Sequence, residues 1–386
     1  DWEDQKEISK KIKTFQIQDL LERKPIVLDN KAISSQLKGK VVLITGAAGS
    51  IGSEIVRQVI QFNPHTVIML DQAETPLHHL GLEISKLHTN AKICSIISDV
   101  RDKIALNNIF NKYRPEVVYH AAAYKHVPLM EENPSQAIFV NVQGTKNVAE
   151  LALNYNVDSF VMVSTDKAVN PSNVMGASKR IAEKFVQALH NNVVIGNGSS
   201  RTKFITTRFG NVLGSNGSVV PLFTKQIEAG GPITLTHPDI IRYFMTISEA
   251  CQLVLQAGTM GNGGEIYIFD MGKPIKILKM AEHMIRLSGF KPYKDIDIQI
   301  TGLRPGEKLY EELLNDSALT LPTFHPKIMV TKVPVDNFND VDRKIQAIIN
   351  ATSQTKRKTV VKKLKELVPE FLSQNSEFEV LDKTHQ

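Results

Sequence analysis

The chain has 386 residues, 42% of them apolar and 22% charged, and a formal net charge of +6. This length allows two or three domains, and this composition excludes a disordered chain and a collagen-like fibre. No stretch reaches the roughly 18 consecutive apolar residues of a membrane-spanning helix, and the basic excess is too dispersed to indicate a nucleic-acid partner. Cys94 and Cys251 stand far apart, which favours neither a metal site nor a disulfide and fits a reducing, cytoplasmic compartment.

The first 38 residues mix charges with short apolar groups and predict a linker or packing arm. From residue 40 onward, short β-branched runs alternate with longer helical patterns. The predicted strand and helix pairs cover residues 41–45 and 51–62, 67–71 and 75–88, 91–99 and 104–113, 117–120 and 137–155, and 159–164 and 174–190. Nearly continuous apolar strands alternating with helices predict a doubly wound parallel sheet, so we expect a Rossmann-like α/β domain over residues 39–210.

Beyond residue 210 the alternation becomes irregular, and glycine and proline are frequent. The remaining strand candidates lie at residues 233–235, 265–269 and 296–300. We expect residues 211–335 to form a smaller C-terminal substrate lobe that supplies one wall of a cleft. Residues 336–386 show the apolar spacing of two amphipathic helices, which can bury their apolar faces on their own chain or on a neighbouring one.

The first predicted strand runs directly into a glycine-rich turn with the spacing GxxGxxG. Glycines let the backbone turn tightly and approach a pyrophosphate, while the N-terminus of the following helix supplies free N–H groups. The turn therefore predicts a dinucleotide site. Its expected contact residues are Gly46, Ala48, Gly49, Ser50, Ile51 and Gly52.

An aspartate at the end of the second predicted strand indicates which dinucleotide binds. Asp71 can accept hydrogen bonds from both ribose hydroxyls and would repel a 2′-phosphate, so we expect NAD rather than NADP. Asp99 ends the third strand, where it can meet the adenine ring or simply form a turn. Val100 and Ala121, after the third and fourth strands, complete the expected cofactor contacts.

Two short segments carry the candidate chemistry. The GxxGxxG spacing resembles the extended short-chain dehydrogenase/reductase superfamily, which uses Tyr-x-x-x-Lys for proton transfer, but this chain has Met175 and Lys179 at the corresponding place. Lys179 can hydrogen-bond the nicotinamide ribose or be an ordinary helix-surface lysine, whereas the Met175 thioether is no general base. Asp166 and Lys167 end the fifth strand, at the edge where open α/β sheets bind ligands, and can divide proton work or form a solvated ion pair.

Five motifs together resemble the UDP-N-acetylglucosamine 4,6-dehydratases of the polysaccharide-biosynthesis (CapD-like, PglF-like) family. They lie at residues 122–131, 164–167, 173–179, 208–215 and 302–308. The likeness covers roughly residues 20–330, and methionine in place of tyrosine is similar to the long members, in which transmembrane helices precede the catalytic region. The resemblance therefore implies a soluble catalytic piece, in which case segments outside these residues would anchor the full-length protein to the inner membrane.

The resemblance also implies a mechanism for making a UDP-2-acetamido-2,6-dideoxy-4-keto-hexose. NAD takes hydride from sugar C4, neutral Lys167 removes the C5 proton, protonated Asp166 donates to the departing C6 hydroxyl, and the hydride returns to C6. Without a tyrosine, Asp166 also takes the C4 hydroxyl proton. Thr165 either hydrogen-bonds the C4 oxygen or hydrogen-bonds a backbone group at the end of the strand. A lysine of ordinary pKa is a poor base, so we expect burial or nearby cations to depress the pKa of Lys167. Retention of the configuration at C5 is implied only by the resemblance to the members that have methionine in place of tyrosine.

A UDP-sugar also needs cations or N–H donors for its two phosphates. The candidates that the resemblance favours are Asn211, Arg242 and Arg304. Lys125 and His126 follow the fourth strand and are expected on the sugar side of the cleft, although a histidine beside a proline is often structural. We interpret Glu307 and Glu311 as helix-face charges.

Two other functions stay open on the sequence. A UDP-sugar 4-epimerase shares the fold and cofactor, but it needs no acid at C6 and normally keeps the tyrosine. A non-catalytic dinucleotide sensor would explain the missing tyrosine but leaves Asp166, Lys167 and the phosphate candidates without a purpose. Because the superfamily usually pairs helices into dimers, we expect a homo-oligomer.

Overall fold

The computed structural model describes residues 26, 28–195, 201–312, 319–352 and 356–384. Most of the arm predicted for residues 1–38 lies outside this part of the chain. Its described end forms helix α1 (Asn30–Leu37), which begins at Asp29, whose carboxylate accepts a hydrogen bond from the Ala32 N–H.

A nine-stranded sheet forms the centre of the molecule. Its strands are β1 (Val41–Thr45), β2 (Thr66–Asp71), β3 (Lys92–Ile97), β4 (Val117–His120), β5 (Ser159–Thr165), β6 (Lys203–Phe209), β11 (Ile266–Phe269), β14 (Leu319–Pro322) and β15 (Ile328–Lys332). The order across the sheet is β14-β15-β11-β6-β5-β4-β1-β2-β3, and the strands from β11 to β3 are parallel. The chain therefore winds outward in both directions from β1 and β4.

Helices cover both faces of this sheet. They are α2 (Ser50–Ile60), α3 (Glu74–Ile84), α4 (Lys103–Tyr113), α5 (Val127–Glu132), α6 (Pro134–Ala137), a π-helical turn (Ile138–Gly144), α7 (Thr145–Asn154) and α8 (Val174–Ile195). Leu43 of β1 packs into the apolar core on one face, and its neighbours Val42 and Ile44 pack into the core on the other. Burial on both faces explains the continuous apolar strands, and the predicted doubly wound α/β fold is confirmed.

A smaller lobe has its own apolar core. It contains α9 (Val219–Glu228), α11 (Ile277–Leu287), and three short strand pairs: β7 (Asn211–Leu213) with β10 (Phe244–Thr246), β8 (Ile233–Leu235) with β13 (Ile298–Ile300), and β9 (Ile241–Arg242) with β12 (Ile275–Lys276). Helix α10 (Ile247–Met260) packs instead against α2 of the main domain. The interval 211–335 also supplies β11, β14 and β15 to the central sheet. Strand β11 is buried along its whole length, like the other central strands.

The two amphipathic helices expected at the C-terminal end are present as α12 (Phe338–Thr352) and α13 (Arg357–Leu367). Both pack against α8 of the same chain, so the apolar faces are buried internally. The expected homo-oligomer stays a prediction. Residues 371–376, which we name the C-terminal strap, then run back to the cleft between the domain and the lobe, where Gln374 contacts Ser172 and Gly306.

Candidate active site

The turn after β1 and the chain after β4 border a cleft with a volume of about 270 Å³ at the carboxyl ends of the parallel strands. Gly46 has φ +66°, and a Cβ there would lie 2.6 Å from the backbone nitrogen of Ala122. A Cβ at Gly52 would lie 2.0 Å from the carbonyl oxygen of Gly46. Only glycine therefore permits this close turn, which fits a pyrophosphate approaching backbone N–H groups.

Most of the predicted cofactor contacts line this one cleft. They are Gly46, Ala48, Gly49, Asp71, Asp99, Val100 and Ala121. Ser50, Ile51 and Gly52 form the first turn of α2 beside it. The Asp71 carboxylate accepts hydrogen bonds from the N–H groups of Ala48 and Ala73, both at 2.9 Å. Its position at the end of β2 is thus fixed by backbone.

Asp99 forms the turn considered for it, and its contact with the adenine ring stays a prediction. Its side chain lines the cleft, and it also closes a turn by accepting hydrogen bonds from the backbone N–H and guanidinium of Arg101. Burial opposes the charge of Asp99, but these hydrogen bonds outweigh it and lower the pKa of the carboxyl group.

Helix α8 carries Lys179, the lysine of the expected Tyr-x-x-x-Lys position. Its Nζ donates a hydrogen bond to the carbonyl oxygen of Val163 at 2.8 Å. Burial lowers the pKa of Lys179 to about 8, against the opposing charge of Glu183, so this lysine is easily neutralised. Met175, one turn earlier, is 3% exposed and packs into the core beside the sheet. It stands in no proton path among the described residues.

The predicted acid and base pair lies where β5 ends. A 3₁₀ turn (Asp166–Ala168) follows the strand and brings Lys167 Nζ within 3.1 Å of Asp166 Oδ1 and 3.3 Å of Asn211 Oδ1. Thr165 Oγ1 donates to Asp166 Oδ1 at 2.9 Å. The other carboxylate oxygen, Oδ2, is buried without a hydrogen-bond partner among the described residues, which is unusual for a buried polar atom.

Two expectations about this pair are wrong. Burial and the Arg242 guanidinium do act to lower the pKa of Lys167, but the Asp166 and Glu311 carboxylates outweigh them, so the pKa is raised. Glu311 is not a helix-face charge, because residues 301–312 form no helix and its side chain is 6% exposed. The sequence showed an acidic residue after the 302–308 motif, but no periodicity indicated that it reaches Lys167.

The candidate phosphate residues lie on the lobe side of the cleft in different environments. Arg242 donates to the carbonyl oxygens of Ile241, Lys308 and Leu309, so it organises the 301–312 loop in this structure. Arg304 is 59% exposed and pairs with Glu307 at 3.3 Å. Arg304 is therefore the more accessible of the two guanidinium groups.

Lys125 and His126 lie where the main domain meets residues 215–217 of the lobe. Lys125 Nζ donates to Ser215 Oγ at 3.4 Å, and burial followed by the charge of Lys167 lowers the pKa of Lys125. The His126 ring fills the space beside Gly217, where a Cβ would lie 2.6 Å from Cε1. Burial, then Lys125 and Arg304, lower the pKa of His126, so a neutral imidazole is favoured. Lys125 is thus close enough to Lys167 for the two charges to interact.

The sheet, the glycine turn and the lysine on α8 give the chain the Rossmann-like fold of the short-chain dehydrogenase/reductase class. The chain belongs to the polysaccharide biosynthesis protein family, whose model matches residues 42–333. No helix among the described residues is long and apolar enough to cross a membrane. The same residues contain no cluster of three or more histidine, cysteine or acidic side chains suited to a metal ion.

Two known proteins are similar to this chain in sequence, and one solved structure is similar to it in fold. It is 51% identical over 346 residues to the capsular polysaccharide biosynthesis protein CapD of Staphylococcus aureus, covering 89% of this chain and 57% of that protein. It is 34% identical over 286 residues to a UDP-N-acetylglucosamine 4,6-dehydratase (inverting) of Campylobacter jejuni, covering 73% of this chain and 80% of the relative. A Thermus thermophilus UDP-glucose 4-epimerase complex with NAD superposes with a TM-score of 0.58 at 23% identity, over 71% of this chain and 90% of that one.

Proposed function

We propose that the chain is an NAD-dependent UDP-N-acetylglucosamine 4,6-dehydratase that makes a precursor for polysaccharide or protein glycans. The observation that carries this proposal is the contact between Asp166 and Lys167 at the carboxyl end of β5, beside a cleft suited to a dinucleotide. An epimerase needs no acid and base for elimination. The identity with the Campylobacter dehydratase supports the choice of sugar nucleotide.

NAD⁺, when bound, accepts the hydride of sugar C4 and returns it to C6, so it is regenerated in each turnover. Residues of the glycine turn and Asp71 would hold it, and Lys179 would bond the nicotinamide ribose. Asp166 takes the proton of the C4 hydroxyl, directly or through a water, on its buried carboxylate. Thr165, whose hydroxyl donates to Asp166 in this structure, is assigned the hydrogen bond to the C4 oxygen.

Elimination then uses both members of the pair. The 4-keto group acidifies the C5 proton, and Lys167 as a free amine removes it, while Asp166 donates its proton to the C6 hydroxyl, which leaves as water. Lys167 next returns its proton to C5 as hydride reaches C6, and we propose that this occurs with retention. The diphosphate is assigned to Arg304, Asn211 and Arg242, and the sugar side to Lys125 and His126.

Incubation with UDP-N-acetylglucosamine and NAD⁺, followed by mass spectrometry, tests the proposal. The expected product has lost one water. An isomer of unchanged mass would indicate a 4-epimerase, and unchanged substrate would indicate a dinucleotide sensor. Either of these two results would refute the dehydratase.

Asp71 predicts the cofactor preference. A 2′-phosphate would meet a carboxylate that backbone N–H groups hold in place, so NADP should bind about tenfold more weakly than NAD, or worse, which corresponds to about 1.4 kcal/mol. Calorimetric titration of the protein with each dinucleotide measures this difference, and Asp71→Asn should narrow it. Equal or tighter binding of NADP would contradict the assignment.

Arg304 predicts a separate effect on the sugar nucleotide. A charge-assisted hydrogen bond contributes roughly 1.5–3 kcal/mol, so Arg304→Ala should raise the KM for the UDP-sugar about tenfold or more and leave NAD affinity unchanged. Arg286→Ala is a matched control, because Arg286 on α11 is equally exposed and also pairs with a nearby glutamate. If KM stays unchanged in both variants, Arg304 does not bind the diphosphate.

A further inference from the structure

The Glu311 carboxylate lies midway between two cations. Its Oε1 is 3.6 Å from Lys167 Nζ and 3.6 Å from Arg242 Nε. Glu311 is almost completely buried, and a buried charge is costly unless it is paired. Its position is therefore governed by these two cations.

Arg242 is held in place by other groups, whereas Lys167 has a second carboxylate partner. Arg242 is held by three backbone carbonyl groups, so it stays in place. Lys167 contacts Asp166 at 3.1 Å in addition to Glu311, so two carboxylates face one ammonium group. Among the described residues, the other charges that face Lys167 are the cations Arg242 and Lys125. Removing one carboxylate would therefore leave a balance that favours the neutral amine.

The proposed reaction requires that neutral amine. Asp166 gains a proton from the C4 hydroxyl and loses it to the departing water, while Lys167 gains a proton from C5 and later returns it. Over one turnover this balance closes only if Lys167 begins without its extra proton. A carboxylate that stabilises the ammonium form opposes this start, and Glu311 is such a carboxylate.

We propose that Glu311 is a positioning residue that controls the protonation of Lys167, holding it as an ammonium group in the arrangement seen here and turning to Arg242 when the sugar enters the cleft. This inference rests on the proposed function. The equal distances from the Glu311 oxygen to both cations mean that a small side-chain rotation transfers the ion pair.

The pH dependence of kcat/KM for UDP-N-acetylglucosamine tests the proposal. Activity should rise with pH as Lys167 loses its proton. An adjacent opposite charge typically shifts a pKa by about 1–3 units, so Glu311→Gln should move this rise to lower pH by about one unit or more. The variant should then exceed the wild type at the acidic end. An unmoved rise, or loss of activity at every pH, would overturn the proposal, and Glu311→Ala repeats the test should the glutamine variant fold poorly.

Glu312→Gln is the matched control. Glu312 is the next residue, but its carboxylate bonds Lys308 and Asn170 rather than Lys167. The control should therefore keep the pH at which activity rises. A shift as large as that of Glu311→Gln would mean that the loop, and not the Glu311 charge, governs Lys167.

A second readout does not depend on turnover. Acetic anhydride acylates only neutral amines, so the pH at which Lys167 becomes acetylated, measured by peptide mass spectrometry on the protein without nucleotide sugar, reports its protonation. Glu311→Gln should lower that pH, and Glu312→Gln should not. A lower acetylation pH in Glu311→Gln, together with no dehydration by the wild type, would support the role of Glu311 and refute the proposed function. Dehydration without a shift would refute the role of Glu311 alone.

Discussion

Replacing Asp166 by asparagine should abolish nearly all dehydratase turnover. The carboxylate is buried, holds Lys167 at 3.1 Å and has one oxygen without a partner among the described residues, so it is the group best placed to carry the C4 and C6 protons. An amide neither accepts a proton from a hydroxyl nor donates one to a leaving group. General acid and base groups contribute roughly 10²–10⁴-fold, and a residue that serves two steps should reach or exceed this range. Product formation measured by mass spectrometry gives the loss.

A variant of the neighbouring helix separates this effect from disturbance of the site. Met175→Leu preserves the volume of a buried side chain and removes only the thioether, so it should retain most of the activity. Dinucleotide and UDP-sugar binding should survive in both variants. If Asp166→Asn keeps more than about a tenth of wild-type activity, which is well short of the expected loss, another group carries the C4 proton.

Lys167→Met should be equally inactive but should stop at a different step. Methionine matches much of the lysine side chain in length but has no amine, so it accepts no proton from C5. Asp166 remains able to take the C4 proton, so C4 oxidation should still occur and reduced cofactor should accumulate in a single turnover. In deuterated water the C5 hydrogen should stay unexchanged, as measured by proton NMR of the recovered sugar nucleotide.

The comparison with Asp166→Asn makes this second prediction decisive. The asparagine variant lacks the C4 base and should produce no reduced cofactor, whereas the methionine variant should produce it. Deuterium appearing at C5 in Lys167→Met would show that a different base acts there. Lys125, which lies near Lys167 and has a pKa lowered by burial, would then be the first candidate.

The local sequence was sufficient to predict the first five strands of the central sheet and the glycine turn. Strands β1, β2, β4 and β5 are nearly continuous apolar runs because both of their faces are buried, and this pattern is readable without knowledge of the neighbours. Strand β11 has the same pattern, but its flanking segments are irregular, so sequence reasoning placed it in the lobe. Its parallel pairing with β6 is a contact between segments about 60 residues apart, which no local pattern encodes.

The candidate site was predicted where its residues are consecutive and missed where they come from separate segments. Thr165, Asp166 and Lys167 share one turn, so their proximity follows from the sequence. Glu311 reaches Lys167 from a loop 144 positions later, and the charge balance around Lys167 depends on that approach. The expected fall in the pKa of Lys167 was therefore wrong, because Glu311 adds a second carboxylate that the residues next to Lys167 in the sequence do not reveal.

The C-terminal strap shows that contacts important to the folded structure extend beyond the region that matches the family. The family match ends at residue 333, yet the strap returns to hydrogen-bond Ser172 and Gly306, and Ser376 bonds Glu131, whose other oxygen accepts from the N–H of Val174 at the start of α8. A gene trimmed to the region that matches the family would keep every candidate catalytic side chain but lose the hydrogen bonds that join the two walls of the cleft. A chimaera built from this chain therefore requires the C-terminal strap as well as the family region.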